Sequence, residues 1–315
     1  MRCARARGEE ENHTNQTLTP SPDPPPLPSG FLVLPSFAPP ATVASLLAAT
    51  AARLASVDEE TAAAASVFST TDQSAVAAPY FLASAATASP FFEADAVDPA
   101  TKRLREGVAM KDAVNKIGHA LHDVDPTFKA FTHSLTPVFR SLRYGAPTPV
   151  QSMLICKGAR VGGEVVPHQD SAFLWTTPAP SVVGCWLALH DASVANGCLF
   201  AVPGSHRTVP IGDRFVRSGG DGDGGVRVGF QSGARPTYDT AGAVPLPAPA
   251  GTLVLLHGGV VHFSAPNASA APRAAYTVHV VEGGRGHAWA PDNWLQRPAG
   301  APFVALYDEG EEETA

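Results

Sequence analysis

Cysteine is scarce in this chain. Cys3, Cys156, Cys185 and Cys198 are scattered over 315 positions with no paired or zinc-type spacing. A disulfide-built scaffold and a structural zinc knuckle are therefore excluded. Three of the four sit in apolar, strand-like runs and read as buried, reduced thiols. Basic charge is also in deficit. Lys and Arg number 22 against 29 Asp and Glu, a net charge of −7, and no segment carries a basic stripe. A nucleic-acid partner is not expected. No apolar run approaches the ~20 residues needed to cross a bilayer, so no membrane span is expected. Arg2, Arg5 and Arg7 are followed at once by Glu9, Glu10 and Glu11, which is unlike a transit peptide, and no apolar core of a signal peptide follows. Residues 311–315 do not form a peroxisomal tripeptide. Together these absences predict a cytoplasmic protein. They leave its oligomeric state open.

Glycine and proline are plentiful, 28 and 30 residues, and they punctuate the chain. Residues 1–28 are polar and then proline-rich. They lack the apolar side chains to offset ordering entropy and are expected to be a disordered tail. An acidic tail is expected over 309–315. Between them, 29–308 reads as one domain. Residues 31–34 predict a first strand. Val43, Leu46, Leu47, Ala51 and Leu54 then recur at helical spacing. A second helix is expected over 112–124, with Val114, Ile117, Leu121 and Val124 on one face, ended by Asp125-Pro126. From Val150 onward the texture is short apolar or alternating runs separated by Gly, Pro and Asp. Strands are expected at 150–156, 164–168, 182–190, 198–202, 252–256, 260–263 and 274–282. This pattern predicts a mainly β protein with flanking helices: a double-stranded β-helix, the jelly roll of cupin-like folds. The glycine-rich stretch 218–235 fits either a surface loop or a mobile flap at the mouth of a site.

One short motif carries chemistry. His168 and Asp170 flank Gln169, and residues two apart on a strand point to the same face. An imidazole and a carboxylate can thus reach one metal ion, while Gln169 turns the other way into the scaffold. His262 can complete a two-His-one-carboxylate set. Such a set occupies one face of an octahedral Fe(II) and leaves three positions open. His257 is a rival third ligand, and His279 could also face the cavity. Arg273 follows His262 by eleven residues and opens an alternating apolar run. Its planar fork suits a carboxylate bidentately and keeps its charge beside a metal. Ser264, two residues past His262, shares that histidine's face.

The runs at 167–173 (PHQDSAF), 184–189 (GCWLAL), 196–207 (NGCLFAVPGSHR), 251–264 (GTLVLLHGGVVHFS) and 273–281 (RAAYTVHVV) occur in this order. With 115–122 (NKIGHALH), 150–153 (VQSM) and 293–296 (NWLQ), they resemble the phytanoyl-CoA dioxygenase family of Fe(II)/2-oxoglutarate oxygenases across roughly 30–307. The resemblance implies that His168, Asp170 and His262, rather than His257, ligate the metal and form the catalytic centre. It implies that Arg273 and Ser264 hold the distal carboxylate of 2-oxoglutarate. It also implies that Lys116, Met153 and Trp186 line the cosubstrate pocket. By composition alone these three would be a solvated helical lysine and two core residues. The implied reaction uses O₂ to convert 2-oxoglutarate to succinate and CO₂ and hydroxylates an unactivated C–H bond. Its substrate would be an unidentified small or acyl/lipid-like molecule. Two alternatives stay open: a cupin-type metal protein independent of 2-oxoglutarate, and a catalytically silent relative.

Overall fold

A computed structural model describes residues 27–308 apart from 59–66, 69–78, 99, 102 and 220–224, and also residue 310. The strands in chain order are β1 (Phe31–Leu34), β2 (Val67–Phe68), β3 (Ala88–Glu93), β4 (Val114–His119), β5 (Pro147–Lys157) and β6 (Val165–His168). They continue with β7 (Thr176–Thr177), β8 (Val183–Ala188), β9 (Leu199–Ala201), β10 (Phe215–Ser218) and β11 (Arg227–Phe230). The last five are β12 (Val244–Leu246), β13 (Leu253–His257), β14 (His262–Ser264), β15 (Arg273–Glu282) and β16 (Ala288–Trp289).

Alternation along β15 shows how the two sides of the larger sheet are divided. Tyr276, Val278 and Val280 point into an apolar core, while Arg273, Thr277 and His279 line a cavity. The larger sheet has eight strands in the order β1-β13-β8-β15-β5-β4-β3-β2. Its core side is covered by the helices Pro40–Ala55 and Pro126–His133. There Tyr276 packs on Phe128 and Phe131, with ring centroids 4.7 and 5.9 Å apart. The smaller sheet runs β12-β9-β14-β6 and closes the cavity from the opposite side. The two sheets form the expected jelly roll. Burial of this alternating apolar face is the main stabilising term.

The expected helix over 112–124 is not formed. Its middle is strand β4, inserted between β3 and β5. The spacing of Val114 and Ile117 fits a helix face, but the backbone groups of this segment find cross-strand partners on both sides. Long-range pairing outweighs local periodicity here. Val124, assigned to the apolar face, is 46% exposed. Lys116 therefore lies on a strand. Asp125-Pro126 starts a helix as well as ending a turn: the Asp125 carboxylate accepts from Thr127 N–H and Phe128 N–H, and Pro126 occupies the first turn.

At the N-terminal edge Leu27 is buried in the core, so the folded body begins before Ser29. The expectations for residues 1–26, 309 and 311–315 lie outside the described residues. Cys156, Cys185 and Cys198 are free and buried, as anticipated, and burial pushes their thiols up, Cys156 to about 12. Among the described residues no helix is long and apolar enough to cross a membrane.

Candidate active site

The cavity between the sheets, about 200 Å³, is where the sequence-predicted residues gather. His168 ends β6 and His262 begins β14, and the two are direct cross-strand partners. Their rings lie 4.2 Å apart between centroids. Asp170 sits just beyond β6 in a short turn. Its Oδ1 is 3.5 Å from His168 Nε2 and 3.6 Å from His262 Nε2. One donor atom from each residue lies within 4.8 Å of the other two. His257 is not part of this cluster. Its Nδ1 accepts from Gly259 N–H, and its ring packs against His206. Gln169 turns away, as expected, and its amide donates to the carbonyls of Val209 and Gly259.

Hydrogen bonding decides what the three groups offer. His168 Nδ1 faces the Val166 carbonyl at 2.9 Å, and His262 Nδ1 faces the Val260 carbonyl at 3.1 Å. A carbonyl only accepts, so both Nδ1 atoms carry the proton and both Nε2 atoms present lone pairs. Burial holds the His262 imidazole neutral, with a pKa down at about 4. Burial alone would raise Asp170, but the positive charge that His262 and His279 take on when protonated outweighs it and keeps the carboxyl well below its ordinary range. Two imidazole lone pairs and a carboxylate oxygen thus converge with no hydrogen between them. That donor set suits a divalent cation.

The larger sheet supplies the rest. Gly184, His279 and Gln151 lie side by side on β8, β15 and β5. His279 Nε2 approaches Asp170 Oδ2 at 3.4 Å. Gly184 makes room for this approach, since a Cβ there would stand 2.9 Å from Asp170 Oδ2. One pair further along, Trp186, Thr277, Met153 and Gly118 form a second row. At the start of β15, Arg273 is 1% exposed. Its Nη2 donates to the Gly197 carbonyl, while Nε and Nη1 have no partner among the described residues. Burial lowers its pKa only to about 10, so it stays charged. Lys116, Met153, Trp186, Ser264 and Arg273 all line the same cavity as the triad. Lys116 Nζ lies 5.1 Å from the Phe91 ring centroid, and burial lowers its pKa to about 7.

His279, which the sequence allowed to face the cavity, does line it, two steps past Thr277 on the alternation that begins at Arg273. Several other lining residues escaped sequence reasoning. Asn115 and His119 carry no such signal, because their segment has a helical period, and Gln151 lies on an expected strand with no motif to mark it. The glycine-rich stretch partly forms the ribbon β10–β11. Phe173, which lines the cavity, packs against Phe215 and Phe230 of that ribbon at 5.5 and 5.6 Å. Arg235 also reaches the cavity. Its described residues thus adjoin the cavity through Arg235 and through Phe230 behind Phe173.

Comparison with known proteins agrees with this geometry. A phytanoyl-CoA dioxygenase family model matches residues 28–275. Phytanoyl-CoA dioxygenase 1 of Oryza sativa subsp. japonica is 41% identical over 284 residues, covering 89% of this chain and 94% of its own. Phytanoyl-CoA dioxygenase domain-containing protein 1 of Bos taurus is 45% identical, covering 72% and 76%. The crystal structure of EctD from S. alaskensis with bound Fe shares the fold at a TM-score of 0.56 and 19% identity, over 90% of this chain and 84% of that one. The epimerase SnoN in complex with Fe3+, alpha ketoglutarate and nogalamycin RO does so at 0.55 and 18%, over 89% and 95%. With a family model spanning most of the chain and relatives above 40% identity, this protein belongs to the phytanoyl-CoA dioxygenase family.

Proposed function

We propose that the protein is an Fe(II)- and 2-oxoglutarate-dependent dioxygenase. It hydroxylates a small or acyl/lipid-like molecule and releases succinate and CO₂. The observation that carries this reading is the pairing, in one cavity, of three converging lone-pair donors with a buried guanidinium that has two uncommitted donor nitrogens. A lone metal site would not need that guanidinium. A silent relative would have no reason to bury an arginine whose donors are unspent, because an unpaired buried donor is costly.

His168, Asp170 and His262 hold the metal. Arg273 takes the distal carboxylate of 2-oxoglutarate bidentately, and Ser264 on β14 offers a hydroxyl to the same group. Lys116, Met153 and Trp186 line the cosubstrate pocket. Trp186 lies beneath the guanidinium, 5.6 Å from ring centroid to Cζ, and fixes its plane. His279 steadies the Asp170 oxygen that His168 and His262 do not approach. When bound, iron with 2-oxoglutarate supplies the oxidising chemistry. The protein's part is positioning and the exclusion of water, which the apolar lining performs.

The test is 2-oxoglutarate-dependent O₂ uptake and succinate formation by the purified protein with Fe(II). Asp170→Ala should abolish both and cut Fe(II) affinity by more than the ~10–100-fold typical of groups that only support a ligand. Uptake that ignores 2-oxoglutarate would favour the cupin-type alternative. An Asp170→Ala protein with full iron occupancy and turnover would overturn the assignment.

A further inference from the structure

His119 is a buried group that the reading above does not use. It is 1% exposed and lines the cavity, and its Nε2 has no hydrogen-bond partner among the described residues. Its Nδ1 lies 2.8 Å from Ser84 Oγ. The Ser84 hydroxyl has one hydrogen and gives it to the Phe81 carbonyl. Toward His119 the Ser84 oxygen can then only accept. Nδ1 therefore carries the imidazole proton, and Nε2 is left with a bare lone pair. Burial first, and the Lys116 charge second, hold the ring neutral. Ser84 does not line the cavity whereas His119 does. Nε2 lies on the ring edge away from Ser84, buried and without a partner among the described residues.

The surroundings specify what this lone pair can take. The rings of Trp294, Phe91 and Phe81 stand 5.1, 5.3 and 5.6 Å from it between centroids. Phe81 and Trp294 line the cavity, as do Phe173 and, in the ribbon itself, Phe215. 2-Oxoglutarate as a dianion has only acceptor oxygens, so it cannot satisfy Nε2. A saturated acyl chain has no polar hydrogen to offer either. The group that fits is an O–H or N–H carried on a flat, apolar body.

We propose that His119 Nε2 anchors the prime substrate, and that this substrate bears a hydroxyl or N–H donor on a compact, ring-like apolar body. The inference rests on the oxygenase reading for the word substrate, but the binding site can be tested apart from it. The probes are 2-naphthol and its methyl ether, which share one body and differ in the donor hydrogen. Affinities are measured by calorimetry on the Fe(II)- and 2-oxoglutarate-loaded protein without O₂. Wild type should prefer the naphthol by ~10-fold, the yield of one buried hydrogen bond. His119→Phe should bring the ratio close to one, and His119→Gln, which restores an acceptor, should recover part of it. Comparing the ratio across variants cancels the bulk of the extra methyl group.

Equal affinity for both probes in wild type, no binding of naphthol, or an unchanged ratio in His119→Phe would each overturn the proposal. 2-Oxoglutarate is titrated on the same preparations. Its affinity should hold within about 2-fold in His119→Phe, and an equally large loss would assign His119 to the cosubstrate pocket instead. If wild type itself takes up no 2-oxoglutarate, the oxygenase reading fails, and the naphthol ratio on metal-loaded protein still judges the His119 acceptor.

Discussion

At the scale of single residues, the site depends on two close approaches. Arg273 lines the cavity; its Nη2 is held by the Gly197 carbonyl, and its Nε and Nη1 have no partner among the described residues. Losing one charge-assisted pair costs ~1.5–3 kcal/mol, or roughly 10–150-fold in affinity. Arg273→Ala should raise the 2-oxoglutarate requirement by that order and leave metal binding nearly intact. Arg273→Lys should rescue it only in part, because a point charge cannot reproduce the fork. Normal cosubstrate saturation in Arg273→Ala would remove the guanidinium from the mechanism. Gly184 is the second approach. The methyl of Gly184→Ala would press on Asp170 Oδ2, which its Cβ would meet at 2.9 Å, while touching His279 at an ordinary 3.6 Å. Metal affinity measured by competition with a chelator should drop ~10-fold or more, as when a ligand loses its orientation. Unchanged affinity would mean that the Asp170 turn yields without cost.

At the scale of elements, the ribbon β10–β11 is the part of the wall that the sequence left open between loop and flap. It is tied to the C-terminal segment in three ways. Arg214 pairs with both oxygens of Asp292 at 2.7 and 3.1 Å, Arg217 N–H donates to the Asp292 carbonyl, and Val216 bridges Asn293. The next residue, Trp294, lines the cavity. Arg214→Ala should loosen the ribbon without touching the triad. Coupled hydroxylation should then fall much more than substrate-free conversion of 2-oxoglutarate to succinate, when both are assayed on one preparation. An equal loss of both activities would make the ribbon part of the scaffold. The same scale shows where periodicity misleads. Val114 and Ile117 satisfy a helical period and a strand interrupted by a bulge. The bulge opposite Phe91 and Phe92 turns both Asn115 and Lys116 toward the cavity.

At the scale of the molecule, buried neutral histidines couple folding to pH. Burial depresses His122 and His262 to about 4, and His119 well below its ordinary value. In the unfolded chain these imidazoles take their protons near pH 6.5. Between ~6.5 and 4 the unfolded state therefore binds more protons than the folded one, and stability is lost as pH falls. The metal-free protein should lose a few kcal/mol by about pH 5 relative to pH 7.5. Thermal unfolding at the two values measures this, and a flat profile would show that the histidines gain compensating partners on acidification.

Much of this protein was determined locally, by the sequence itself. The H-x-D pair, His262 and the alternation from Arg273 are short-range patterns. Strand geometry places the groups of β15 on one face, and the short spacing of the H-x-D pair keeps Asp170, in the turn after β6, close to His168. The apolar runs after Val150 likewise announced their strands, since each buries a face that water disfavours. Other features needed the assembled fold. Whether 114–119 is helix or strand depended on β3 and β5, which lie distant in sequence and supply its hydrogen bonds. The acceptor state of His119 depended on Ser84, thirty-five positions away. Gly184 became necessary only once the two sheets brought Asp170 against it. These are contacts between elements, and no local period encodes the distance at which two sheets will close.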